Sequence, residues 1–185
     1  MEPIEAVRWD IDDDLRALGQ QLAALRDAIT RPTHELHLRR PGSGWTVAQH
    51  VHHVVRAFAA GLAAVGKLST NVGPVTPSGP ATISSRAEQI LRTGEIPRGA
   101  AAAPEMVLPD AQPDIDSLLD SIVRLDAKVV ELQRRTEAIA GAGAGTIPHP
   151  ILGPLGASDW VRFTRVHTNH HVGIVQDLLA HVDGP

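Results

Sequence analysis

"GWTVAQHVHHVVRAFAAGLAAVGK", residues 44–67, is the stretch from which the fold can be read. Thr46 followed three residues later by Gln49 has the form of a capping box, so a helix starts at Val47 with Trp45 just outside it. Val47, Val51, Val54, Phe58, Leu62 and Val65 recur at steps of three and four and make one apolar face. Ala57, Gly61 and Ala64 add a second, smooth flank against which another helix can pack closely. A helix that is apolar on more than one side is buried among several partners, and the rest of the chain has to supply them.

Three further segments do so. Ile11, Leu15, Leu18, Leu22, Leu25 and Ile29 alternate steps of four and three and form a narrow seam. Asp10, Asp12, Asp13 and Asp14 crowd the start of that helix, where carboxylates favour the positive end of the macrodipole, and Pro32 follows its last turn. The same stepping returns at Ile115, Leu118, Ile122, Leu125, Val129, Leu132, Thr136 and Ile139, between Pro113 and the "GAGAG" of 141–145, which predicts one long helix. A fourth begins at "GASDWVRF", 156–163, with Ser158 as N-cap and Asp159 in the first turn, and runs to about Val182. The expected fold is all-α, a four-helix bundle.

Between the second and third helices lie residues 68–113, with seven of the fourteen prolines and one short helical stretch, "SSRAEQILRTG". So long a connection suits a crossover along the bundle, which makes the second and third helices parallel. "PHPILGPLG", 148–156, reads as an extended, turn-rich approach to the fourth helix.

A chain of 185 residues is expected to form one domain, residues 1–185. Hydrophobic content of 43% with 21% charged residues is globular, and a net charge of -4 gives no reason to expect a nucleic-acid partner. The N-terminus lacks the pattern of a secretory signal, and the most apolar run, Ala57 to Gly66, is half of the roughly 20 residues that span a bilayer. A cytoplasmic protein with no membrane partner is the expectation. The chain has no cysteine and no tyrosine but ten histidines, so any site chemistry runs through imidazole.

On the fourth helix, at 100° per residue, Trp160, His167, His171, Ile174 and Leu178 fall within about 40° of one direction. His170 lies well to one side with His181 near it, which reads as flank or surface. An apolar-face histidine is more often a hydrogen-bonded core residue than a ligand. Two at i and i+4 stack one above the other, however, and a shared metal ion would satisfy both buried rings. The adjacent Glu of an HExxH motif is absent.

The second helix offers His50, His52 and His53 for a third ligand, and helical geometry alone does not choose among them. His50 is placed to staple against Trp45, and His52 points with Gln49 and Arg56 toward solvent. His53 heads the small-residue flank and is the candidate. His34, His37 and His149 lie in or beside loops and read as surface residues.

Two motifs carry a family resemblance. "GWTVAQHVHHVV", 44–55, resembles the helix-two signature of the DinB and YfiT-like superfamily, in which a Trp-Thr start is followed eight residues after the Trp by a histidine, here Trp45 and His53. "HTNHHVGIVQDLL", 167–179, resembles that family's last-helix signature, whose first and last histidines are here His167 and His171. The lead-in "HPILGPLGASDWVRF" is also similar to one branch.

The resemblance implies a metal site of His53, His167 and His171, holding nickel or zinc in a four-helix bundle that is usually a homodimer. It also implies a metal-dependent enzyme that transfers a low-molecular-weight thiol co-substrate to a small-molecule electrophile. The alternatives are a hydrolase using metal-bound water, and a non-catalytic, stress-related metal-binding dimer. Three imidazoles without a carboxylate leave open positions on an ion, as catalytic sites do. A fourth ligand such as His170 or Asp159 would close the site and favour a structural role. The sequence identifies no general acid or base.

Overall fold

The computed structural model describes residues 9–39, 44–70, 83–99 and 102–180. Four long helices, α1 (Ile11–Ile29), α3 (Val47–Thr70), α5 (Ile115–Gln133) and α7 (Ala157–Ala180), form the predicted bundle. Short helices α2 (Thr33–Leu36), α4 (Ser85–Thr93) and α6 (Thr136–Ala140) and a hairpin of β1 (Ile147–His149) and β2 (Gly153–Leu155) fill the connections. No helix among the described residues is long and apolar enough to cross a membrane.

The seams become the core. On α1, Leu15, Leu18, Leu22 and Leu25 are buried, and the Asp10 side chain caps the helix by accepting from the backbone N–H of Asp13 at 2.9 Å. The capping box opens α3: Gln49 N–H donates to Thr46 Oγ1 (3.2 Å), and Thr46 N–H donates to Gln49 Oε1 (3.0 Å). Helix α3 packs on α1, α5 and α7, as its two apolar flanks require. At Gly61 the approach to α7 is so close that a Cβ would stand 2.2 Å from Thr164 Oγ1. The glycine thus sets the spacing of the two helices that carry the candidate ligands.

The crossover encloses one side of this pair. Ser84 caps α4 by accepting from Ala87 N–H, and its hydroxyl donates to the Leu152 carbonyl at 3.0 Å, tying the crossover to the hairpin. Gly94 ends α4 in the left-handed region, φ 71°. Gln49 Nε2 then donates to the carbonyls of Asp110 (3.3 Å) and Ala111 (3.2 Å), so the chain arrives at the start of α3 just before α5 begins. Helices α3 and α5 therefore set out from the same end, as the length of the connection predicted.

Two local readings are corrected. The predicted third helix breaks after Gln133: Arg134 and Arg135 donate to the i-3 carbonyls of Glu131 and Leu132, and this tightened turn redirects α6 so that Ile139 is buried against the bundle. The fourth helix starts at Ala157, not after Ser158. Gly156 occupies the cap position, and Asp159 reaches back to accept its N–H at 3.1 Å. Asp14 lies in the first turn of α1 as expected, and the structure adds that it is buried at 2% exposure, accepting from Arg162 Nη1 at 2.8 Å. Burial raises its pKa and the Arg162 guanidinium opposes that rise. Arg162 also donates to the Leu91 carbonyl and lies over the Trp9 ring, linking α1, α4 and α7. His181 and Val182 lie outside the described residues.

Candidate metal centre

Helices α3 and α7 bring His53, His167 and His171 together: one ring nitrogen from each lies within 4.8 Å of the others. Ring centroids are 5.1 Å apart for His53 and His167, 4.7 Å for His53 and His171, and 4.8 Å for His167 and His171. His53 and His171 are buried and His167 is half-buried, with one edge on a cavity. Among the described residues no fourth side chain joins the group.

Hydrogen bonds orient the rings and fix the tautomer of one of them. His53 Nδ1 faces the Val107 carbonyl at 2.8 Å, and because a carbonyl only accepts, the proton sits on Nδ1. Nε2 of His53 is therefore a lone pair, and it points at Nε2 of His167, 3.2 Å away. His171 shares a hydrogen bond through its Nδ1 with His50 Nδ1 at 3.1 Å, which leaves its Nε2 for the cluster. Backbone and side-chain partners on the far nitrogen are what orient metal-ligating histidines.

Charge is excluded from the cluster. Burial pushes the His167 pKa down to about 3, with neighbouring histidines adding to the effect, and it pushes His171 lower still. Burial likewise lowers His53, against a smaller opposing effect of the Val107 carbonyl. Three neutral imidazoles are thus held with one ring nitrogen of each convergent, a donor set that suits a divalent ion once the nitrogens are free of protons.

The other histidines divide. His50 meets Trp45 edge-on at 5.4 Å, the expected staple, but it also bonds His171, a second role that lies across the bundle and not along its helix. His52 does not face solvent: it is half-buried, and its Nδ1 accepts from Asp110 N–H at 3.1 Å. His170 is half-buried with its ring 5.1 Å from that of His171, outside the triad. Asp159 accepts from the Trp9 indole at 2.8 Å and does not close the site. His34 and His37 are exposed as expected. His149 is corrected: it is half-buried and lines the same cavity as the triad.

That cavity has a volume of about 660 Å³, within the range of small-molecule sites. Trp45, Ile90, Trp160, Phe163 and Ile174 supply apolar wall, and Lys67 and Arg86 also border it. Among the described lining residues there is no aspartate or glutamate.

A helical bundle whose second and last long helices converge three neutral histidines beside an apolar cavity defines a class of candidate metal proteins. The sequence matches the DinB superfamily over residues 13–175, and the chain belongs to that superfamily. The fold is similar to that of YfiT from Bacillus subtilis, described as "a probable metal-dependent hydrolase with an unusual four-helix bundle topology". That similarity has a TM-score of 0.62 at 16% identity, over 100% of this chain and 95% of the other. No curated protein is detectably similar in sequence.

Proposed function

We propose that the protein is a metal-dependent enzyme, with His53, His167 and His171 holding a divalent nickel or zinc ion, that transfers a low-molecular-weight thiol to a small, largely apolar electrophile. The observation that carries this reading is the convergence of three neutral imidazole nitrogens on the wall of the apolar cavity. When bound, the ion supplies Lewis acidity that favours the ionised form of a thiol or water near neutral pH. The chain has no cysteine, so the sulfur belongs to a co-substrate. The triad orients both partners from one side, while Trp45, Trp160 and Phe163 bind the apolar body and exclude water. A wall with no carboxylate among its described residues suits a nucleophile that the ion alone can ionise.

Hydrolysis is the second reading, and the likeness to YfiT favours it. The test has two stages. Metal per chain is first compared between tag-free wild type and a His167→Ala, His171→Ala double variant. Zinc- and nickel-loaded proteins are then supplied with an aryl halide plus a panel of small thiols, or with nitrophenyl esters alone. Thiol-dependent conjugation that disappears with the metal supports transfer; ester cleavage without thiol selects hydrolysis. A metal-free wild type that resists loading overturns both.

A further inference from the structure

The hairpin between α6 and α7 carries a histidine whose ring is held in one protonation pattern. His149 closes β1 opposite Gly153, whose positive φ of 82° allows the tight return. Its Nδ1 accepts from two successive backbone N–H groups, those of Ile151 and Leu152, each at 3.2 Å. Two donors aimed at one nitrogen require a lone pair there, so the ring proton is on Nε2. A second proton on Nδ1 would face both N–H groups, and burial also opposes it, pushing the His149 pKa down to about 4.

The ring is held firmly beside the triad. Phe163 meets His149 edge-on at 4.5 Å and stacks on His167 at 5.6 Å, so one phenyl ring bridges the two. Trp160 packs on His149 at 5.4 Å, and its Nε1 donates to the Ile147 carbonyl at 3.1 Å, fastening the hairpin to α7. His149 borders the cavity, and among the described residues no protein group accepts from its Nε2. A neutral N–H donor therefore belongs to a wall that is otherwise mostly apolar.

We propose that His149 is a substrate-binding residue whose Nε2–H donates to a carboxylate or carbonyl oxygen on an organic ligand with an apolar or aromatic body. The absence of a carboxylate among the described lining residues and the presence of Lys67 on the same cavity favour such an acceptor over a cationic ligand. This rests on the metal-centre reading only for the statement that the ligand lies beside the triad. A preorganised donor of this kind also steadies charge that develops on a carbonyl oxygen.

The test uses the full chain and benzoate as probe. Two-bond nitrogen–proton correlation of histidine-labelled protein should show protonated Nε2 and bare Nδ1 at His149, with and without zinc. His149→Asn keeps an acceptor where Nδ1 stood but has no donor at the Nε2 position. It should remain folded, melting somewhat below wild type for want of the ring contacts with Phe163 and Trp160, and bind benzoate about tenfold or more weakly, the loss expected for a hydrogen bond to a charged acceptor. His149→Phe, which loses both nitrogens, should in addition melt earlier.

A proton on Nδ1, no benzoate binding by wild type, or unchanged benzoate affinity in His149→Asn would each overturn the proposal. Zinc per chain is measured on the same samples. Failure of the metal centre appears there, whereas failure of the donor appears in the tautomer and in the Asn variant.

Discussion

His53 on α3 donates its Nδ1 proton to the carbonyl of Val107, 2.8 Å away in a 3-10 turn of the crossover (Glu105–Val107), so a residue outside the bundle helices fixes which nitrogen of a bundle histidine faces the candidate metal centre. That relationship gives the crossover a part in the site that its distance in sequence conceals. The other two rings also have protein partners: His171 shares a hydrogen bond with His50 through Nδ1, and His167 stacks on Phe163.

Substituting any of the three should abolish tight binding. His53→Ala, His167→Ala and His171→Ala are each expected to lower zinc affinity by more than the ten- to hundredfold typical of losing an outer partner. His52→Ala, whose ring bonds Asp110 N–H, should leave affinity unchanged. His50→Ala removes the partner of His171 Nδ1 and should fall between, within about that ten- to hundredfold range. Isothermal titration with zinc on the five purified variants measures all of this.

The metal-free protein should lose stability as pH falls from about 6.5 toward 4. Burial holds the folded-state pKa of His50 and His149 at about 4 and of His167 at about 3, whereas the unfolded chain takes up protons near 6.5. Within that window the unfolded state binds more protons, so each such histidine adds a slope of up to about 1.4 kcal/mol per pH unit, with stability falling as acidity rises. Above pH 7 these groups contribute no slope. Urea midpoints at pH 7.5, 6, 5 and 4.5 read it, and His149→Asn should flatten it.

Gly61→Ala should destabilise although alanine is the better helix former. Its Cβ would stand 2.2 Å from Thr164 Oγ1 and 3.3 Å from Thr164 Cβ, so α3 and α7 would be forced apart, at a typical overpacking cost of about 1–3 kcal/mol. Adding Thr164→Ala removes the nearest atom and should recover much of the loss. Because the two helices carry the triad, the single variant should also bind zinc more weakly, and the double variant should regain affinity with stability.

Asp14→Asn should be among the more damaging single changes outside the triad. It leaves the Arg162 guanidinium, 2.8 Å from the lost charge and mostly shielded from water, without its counter-ion. The expected destabilisation is roughly 2–4 kcal/mol, toward the low side of values for broken buried pairs because Arg162 keeps some exposure. Thermal denaturation of the variant decides it.

Chelation should leave the helices standing. The core is built from the seams of α1, α3, α5 and α7, with Leu15, Leu18, Val47, Val54 and Leu132 fully buried without help from an ion. Metal-free protein is therefore expected to keep its far-ultraviolet circular dichroism and most of its melting temperature. Collapse on chelation would instead give the ion a structural role.

Much of the architecture was legible because it is local. The three- and four-residue steps along α1, α3, α5 and α7 name the buried face of each helix, the Thr46 and Gln49 box marks the start of α3, and the i, i+4 spacing of His167 and His171 puts both rings on one stripe. The choice of His53 over His50 and His52 rests on the small-residue flank together with the family motif, and the geometry brings His53 together with His167 and His171.

What the sequence by itself determined, then, was periodicity: which side chains share a face, and hence a four-helix bundle with a pair of histidines turned inward. Only the tertiary structure decided what each ring meets. His50 crossing to His171, Asp14 enclosed by Arg162, and His149 receiving two N–H groups within its own hairpin beside Phe163 all depend on how separate elements and turns are packed. The physical reason is that a helix repeats every 3.6 residues whatever surrounds it, whereas a hydrogen bond across the bundle requires the position and direction of both partners, which no spacing along one chain segment specifies.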